Sequence, residues 1–333
     1  MNNSIYKIAV VGCGVISANH ISAILECEGV EITALCDVKP ERAEARRDEY
    51  KLNARIYTDY NEMLESEKPD AVHIATPHYL HAEMAIKALD LGINVFLEKP
   101  MCINREQIEA MLEAEKRSSA KICVCFQNRY NPSTIKAKEI ADADGGVITA
   151  YGSVFWERNE PYYTESGWRG AYATEGGGVM INQAIHTIDL LCYYLGTPVS
   201  LIATKAKHHL KNVIEVEDTC EGIIYFENGI QANFYATTSA LGTDDTLIIL
   251  QTKNHRIELR LPNITVDGVT TSYEKDVQYV GKKCYGNGHE QLIARYYDAL
   301  ENGKDVPVSA ESAKYALRIL LAAYKSHDLE INI

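Results

Sequence analysis

Over residues 1–126 the chain alternates short apolar runs with amphipathic stretches. Residues 8–11, 31–36, 71–75, 94–97 and 121–126 are apolar and often β-branched, which reads as strands buried on both faces. Between them, residues 17–26 carry helical spacing and residues 41–50 read as a charged, exposed helix. Ala82, Ala85, Ile86 and Leu89 recur at helical intervals until Gly92 stops them. Asp59 is placed to cap a helix through Met63 and Leu64, with Glu62 completing a capping box, and residues 105–117 form one helix more. Strand and helix in turn predict a doubly wound parallel sheet with both faces covered.

Near residue 145 the texture changes, and strand-like segments follow one another. Residues 220–226 lead into Glu227-Asn228-Gly229, after which Ile230, Ala232, Phe234 and Ala236 alternate with Gln231, Asn233 and Tyr235. Asn-Gly between such runs predicts a hairpin with one buried and one wet face. Leu292, Ile293, Tyr296, Tyr297 and Leu300 form one helical stripe, and residues 310–324 a last helix. The expected division is an α/β unit over residues 1–126 and an α+β unit over 127–333. The second holds a mostly antiparallel sheet with helices on one side, and its last helix packs back on the first unit.

Composition narrows the function classes. Of 333 residues, 33 are Lys or Arg against 46 Asp or Glu, a net charge of −13, which disfavours nucleic acid and anionic membranes as partners. No run approaches the ~18 apolar residues of a membrane span. The first residues lack a basic, then apolar, leader, so a cytoplasmic location is expected. Nine cysteines without a Cys-x-x-Cys pair, most within apolar runs, read as reduced, buried thiols. His78 with His81 and His208 with His209 lack a completing carboxylate or cysteine at ligand spacing, so no metal is expected.

The candidate chemistry begins at the first strand's exit, Gly12-Cys13-Gly14-Val15-Ile16-Ser17, which opens a helix. Gly12 permits the tight turn, and Gly14 lets a pyrophosphate approach the helix N-terminus along the bare backbone, with Val15 and Ile16 beside it. Ser17 stands where a third glycine is usual. About 20 residues on, Asp37 ends the second strand, where a carboxylate accepts hydrogen bonds from both ribose hydroxyls; this favours NAD over NADP, with Lys39 close by. Thr76-Pro77-His78 and Glu98-Lys99-Pro100 leave later strands at their carboxyl ends, and Pro100 keeps Lys99 out of the helical region. After Gly176-Gly177-Gly178, the residues Asn182, His186 and Asp189 fall on one polar helical stripe beside the apolar Ile181, Ile185, Ile188 and Leu195.

Together, Gly12-x-Gly14-x-x-Ser17-x-x-His20, Asp37, Thr76-Pro77-His78-x-x-His81, Glu98-Lys99-Pro100 and the run from Gly176 to Asp189 resemble the glucose-fructose oxidoreductase / inositol dehydrogenase / MocA (GFO/IDH/MocA) family over essentially the whole chain. The resemblance implies a Rossmann unit followed by an α/β unit whose open sheet joins copies into a dimer or tetramer. It implies a nicotinamide cofactor and oxidation or reduction of a secondary alcohol on a sugar or cyclitol. Lys99 and His186 become the catalytic pair, and the Lys99–Pro100 bond is expected to be cis. Thr76, Pro77, His81, Glu98, Gln127, Trp168 and Arg169 join the glycine turn as cofactor contacts. Arg129, Trp168, Asn182 and Tyr285 are candidate substrate contacts, with His289 a weaker one.

A hydride leaving a carbinol carbon strands a hydroxyl proton that a positioned base must take, and imidazole suits that work near neutral pH. Inositol-dehydrogenase-like members carry Asp where this chain has Asn182. Either Asp189 replaces that carboxylate or His186 works with Lys99 alone. Two further readings stand beside the dehydrogenase: an NAD-using glycosidase that oxidises its sugar transiently, and a non-catalytic NAD-binding sensor. Retention of both Lys99 and His186 speaks against the sensor.

Overall fold

The computed structural model describes residues 6–274, 286 and 288–333. Strands β1 (Tyr6–Val11), β2 (Val30–Cys36), β3 (Arg55–Tyr57), β4 (Ala71–Ile74), β5 (Asn94–Leu97) and β6 (Ile122–Val124) make an all-parallel sheet in the order β3-β2-β1-β4-β5-β6. This is the doubly wound dinucleotide-binding order. Its central strands are sealed on both faces: Ile8, Val10, Val72, Val95 and Phe96 have no exposed surface. Helices α1 (Ser17–Leu25), α2 (Pro40–Glu49), α3 (Tyr60–Glu67), α4 (His81–Asp90) and α5 (Arg105–Arg117) connect the strands. Asp59 caps α3 by accepting from the Glu62 N–H at 2.8 Å, and α2 buries only Ala43, as its charged pattern predicts.

The second half runs α6 (Pro132–Ala143), β7 (Thr149–Glu157), α7 (Glu160–Thr164), α8 (Ile185–Leu195), β8 (Pro198–Ala206), β9 (Thr219–Phe226) and β10 (Gln231–Thr237). It continues with β11 (Ser239–Gln251), β12 (Arg256–Arg260), β13 (Asn263–Val266), β14 (Val269–Ser272), α9 (Gly288–Glu301), α10 (Ala310–Ser326) and β15 (Ile331–Asn332). Its nine strands form one sheet, β14-β13-β12-β11-β7-β10-β9-β8-β15, antiparallel except where β7 lies parallel to β10. The β9–β10 hairpin turns through Asn228-Gly229, burying Ala232, Phe234 and Ala236 and leaving Gln231 and Asn233 exposed.

Helix α10 packs on β8 and α8 and also on α5 and β6, while α9 lies on α1. The Val124 N–H donates to Val308 O at 2.9 Å, so the segment entering α10 bonds to the edge strand of the first sheet. The loops leaving β4, β5 and β6 meet the start of α8 and the segment before it through His78, Lys99 and Phe126. All eight described cysteines are free, seven of them buried. Among the described residues no helix is long and apolar enough to cross a membrane.

Candidate active site

Gly12 has φ +84°, and a Cβ there would lie 2.5 Å from the Ala75 carbonyl oxygen, so only glycine lets β1 exit across the end of β4. At Gly14 the constraint is of another kind. A Cβ would meet no atom of the described residues within 4 Å, so their packing does not require a glycine. Among the described residues no side chain caps α1 either, which leaves its first N–H groups available, and the residues present fit a bound pyrophosphate. Ser17 Oγ donates to Gly14 O at 2.6 Å, and Arg46, a residue that sequence reading did not single out, donates to both Gly14 O and Ser17 Oγ. The Asp37 carboxylate accepts from the Cys13 and Lys39 N–H groups at 2.8 and 2.9 Å, locking the end of β2 to the turn. Val15 and Val38 stand out beside it, 86% and 83% exposed, and Ile16 is half-buried.

At the end of β5 the Lys99–Pro100 peptide is cis. Lys99 Nζ donates to the main-chain oxygen of Asn182 at 2.9 Å and lies 3.5 Å from its Oδ1. Burial pulls the Lys99 pKa below the usual lysine value, with Glu98 pushing back. The Glu98 carboxyl is itself buried, yet the hydrogen bond from His20 and the nearby His289 ring, 3.8 Å away, hold it well below the ordinary range. Behind it runs a buried relay with one consistent donor order. Tyr297 O–H reaches His73 Nε2 at 2.7 Å, His73 Nδ1 reaches His20 Nδ1 at 2.9 Å, and His20 Nε2 reaches Glu98 Oε1 at 2.9 Å. The donor atoms of His20, Glu98, Cys125 and His289 lie within 4.8 Å of one another. This metal-type set comes from four separate elements, so no sequence spacing reveals it. Burial pushes the Cys125 thiol well up, and the cluster is knit by its own hydrogen bonds around one carboxylate.

His81 spans two turns, Nδ1 at 2.7 Å from Pro100 O and Nε2 at 2.8 Å from Thr76 O, which ties the Thr76-Pro77 exit to that of Lys99. Gln127 is buried just after β6, with Cys125 Sγ 3.8 Å from its Oε1.

The glycine run before α8 is packed against Glu217 and Tyr324. A Cβ on Gly178 would lie 1.8 Å from the main-chain oxygen of Glu217. The Glu217 carboxylate accepts from the N–H groups of Gly178 and Met180 at 3.0 and 3.1 Å, and burial pushes it up to about 7. A π-helical turn, Met180–Ala184, then precedes α8, so Asn182 and His186 do not keep the regular α-helical register that their spacing predicts. Ile181, Ile185, Ile188 and Leu195 are buried as the apolar stripe requires. His186 is half-buried, its ring edge-on to Phe126, and its Nδ1 has no hydrogen-bond partner among the described residues. Burial, then the Lys99 charge, bring its pKa down to about 3.

Two expectations are corrected here. Asp189 does not face His186, and the Arg129 fork is not free for a substrate, because the two hold each other. Arg129 Nη2 and Nε reach the Asp189 carboxylate at 2.6 and 2.8 Å, and its Nη1 reaches Ser312 Oγ at 2.7 Å. The carboxylate near Asn182 is instead Glu175, which the sequence reading passed over. Its Oε1 accepts from Asn182 Nδ2 at 2.5 Å, and its main-chain oxygen lies 2.9 Å from His78 Nδ1. The Arg169 guanidinium lies 4.4 and 4.7 Å from the ring centres of Tyr162 and Trp168, its Nε buried without a hydrogen-bond partner among the described residues, and Trp168 sits 4.6 Å from the His78 ring. Tyr285 lies outside the described residues.

Both halves of the chain match known protein families. Residues 6–126 match the model for an oxidoreductase family with an NAD-binding Rossmann fold, and residues 135–255 match the GFO/IDH/MocA C-terminal domain. An oxidoreductase of Formosa agariphila is 33% identical over 58% of this chain, and the match spans only 60% of that relative. The D-glucoside 3-dehydrogenase of Escherichia coli is 26% identical over 69% of each chain. The WlbA dehydrogenase of Bordetella pertussis, crystallised with NADH and UDP-GlcNAcA, is 26% identical, with a TM-score of 0.88 over 100% of this chain and 99% of its own.

Proposed function

Because the chain belongs to the GFO/IDH/MocA oxidoreductase family, an NAD-binding family, we propose that it moves a hydride between a ring secondary alcohol of a sugar, glycoside or cyclitol and NAD. The observation that carries the reading is Lys99, whose Nζ meets Asn182 at 2.9 Å and whose charge acts on His186. A glucoside dehydrogenase and a nucleotide-sugar complex among the similar proteins support the substrate class. The glycine turn and Asp37 would hold the dinucleotide, with Asp37 favouring NAD over NADP. When bound, NAD supplies the hydride acceptor.

The chain's own part is the proton. An imidazole with a pKa of about 3 keeps a proton poorly, so His186 is neutral and orients the substrate hydroxyl by hydrogen bonding. Lys99, with its pKa lowered by burial, takes the proton, and the Asn182 main-chain oxygen receives the resulting ammonium. Arg169 and Trp168 border the same space and serve the cofactor or the ring.

Two features extend the reading. Phe155 and Tyr235 stack at 5.1 Å on the second sheet, beside a depression lined by Tyr151, Glu221 and Asn233, and a second copy of the chain would cover this face. A reducing, cytoplasmic setting fits the free cysteines.

Incubation with NAD and a panel of pyranosides, inositols, uronates and nucleotide sugars tests the proposal by absorbance of reduced nicotinamide. K99M and H186F should each lose about 100-fold or more in turnover. Glycoside cleavage without net reduction would replace the dehydrogenase reading, and full activity in either variant would remove that residue from the mechanism.

A further inference from the structure

Glu175 is 1% exposed, and the arrangement around it is specific. Its Oε2 accepts from the Gly170 N–H at 2.6 Å and its Oε1 from Asn182 Nδ2 at 2.5 Å. Both partners are donors, so the position calls for two acceptor oxygens, which a carboxylate supplies and a carboxamide does not. The other hydrogen of Asn182 Nδ2 is used as well, on the Tyr162 hydroxyl at 3.1 Å. With both amide hydrogens committed, Oδ1 is left facing Lys99 Nζ at 3.5 Å. Turning the amide over would set oxygen against carboxylate and N–H against ammonium.

We propose that Glu175 is a positioning residue for the reaction: its carboxylate holds the Asn182 amide in the one orientation that directs Oδ1 at Lys99. The inference rests on the reading of Lys99 as the proton acceptor. It also gives Asn182 a role that its lack of charge denies it alone, since the negative charge sits one hydrogen bond further back. Glu175 acts through its neighbour Asn182. The charged groups around it are Lys99 and Arg169, which favour its anion, and Glu217, which opposes it; burial leaves its carboxyl at about 7. Lys99 in turn faces Glu98, Arg169 and Glu175. Gly170 belongs to the Trp168-Arg169 loop and His78 to the exit of β4, so the same residue ties three segments of the site together.

The test has one readout that needs no turnover and one that does. In cofactor-free protein labelled with 13C at the lysine Cε, the Lys99 signal is assigned by its loss in K99M. E175Q and N182A should each lower the Lys99 pKa, E175Q by about one unit. At pH about 8.5, above the carboxyl's titration, E175Q should lower kcat about 10-fold with KM for NAD within about twofold. In the N182A background, E175Q should cost less than about twofold in kcat, because the route through the amide is already cut. An unchanged Lys99 pKa in E175Q, or full additivity of the two substitutions in kcat, overturns the proposal. Should E175Q fail to fold, N182A alone decides, and an unshifted Lys99 there overturns it equally. A shifted Lys99 in a protein for which no compound of the panel supports NAD reduction would sink the proposed reaction and leave the role of Glu175 towards Lys99 intact.

Discussion

Replacing Asp189 with leucine separates anchoring from catalysis. The Arg129–Asp189 pair is bidentate and nearly dry, with side chains 10% and 1% exposed. D189L leaves a buried guanidinium whose remaining hydrogen bond is to Ser312. Breaking such a pair by removing one partner costs about 3–5 kcal/mol, whereas replacing both partners with apolar groups of similar size is often neutral or better. With a urea m-value of about 3 kcal/mol/M, D189L should lower the unfolding midpoint by roughly 1–2 M. The double variant R129M/D189L should recover most of that loss. The assay is urea unfolding followed by tryptophan fluorescence, with turnover per folded molecule measured well below the transition. Since Asp189 points at Arg129 and not at His186, turnover should fall less than about 10-fold, against the roughly 100-fold expected if it were the histidine's carboxylate partner. A D189L protein as stable as the parent but catalytically dead would refute the reasoning outright.

Three further outcomes follow from the same geometry. G178A should abolish ordered packing of the glycine run, because the added Cβ falls 1.8 Å from the Glu217 main-chain oxygen, which already accepts from the Val179 N–H at 3.1 Å; far-UV and near-UV circular dichroism with an activity assay would reveal it, and a fully active G178A would contradict the close approach. D37A should weaken NAD more than NADP in fluorescence titrations, since the lost carboxylate serves the ribose hydroxyls and repels a 2′-phosphate; equal losses would undo that assignment. Glu217 titrates at about 7 in the fold against an ordinary 4.5, so the folded state holds its proton more tightly. Its stabilising contribution is complete below about 4.5 and is lost as pH rises to about 7, at a limiting slope of about 1.4 kcal/mol per pH unit. E217Q should therefore show a flatter dependence of urea midpoint on pH across that window, and an unchanged slope would dismiss Glu217 as its source.

How much of this was legible beforehand depends on how far each feature reaches along the chain. Strands such as β1 and β4 announce themselves because they centre on short apolar runs, Ile8 to Val11 and Ala71 to Ile74 with only His73 interrupting, and the helix after Asp59 because its cap and its stripe are both local. Strand β3 is three residues on a sheet edge, too short to carry a period. The parallel pairing of β7 with β10 joins segments some 80 residues apart, and nothing local encodes it. The site divides the same way. Gly12, Gly14, Asp37, Lys99 and His186 sit in contiguous motifs. Arg129 with Asp189, and Glu98 with His20 and His289, are partners only in space. The regular polar stripe from Asn182 to Asp189 misled because a π-turn breaks its register and because an acid on a polar stripe can be turned inward by a buried arginine. One clue did lie within reach: Glu175 immediately precedes the glycine run, and a carboxyl group next to a tight turn is well placed to fold back on the helix that follows.

The hydrogen bond between Val124 and Val308 has a consequence for how the polypeptide is made. A ribosome delivers the six parallel strands early, but the flank of the last of them stays unmatched until nearly two hundred more residues have emerged. The nucleotide half thus cannot reach its final form during its own synthesis and waits on the tail of the molecule. A nascent chain stalled before that tail should offer proteases and chaperones an open border along β6, and one released after it should not.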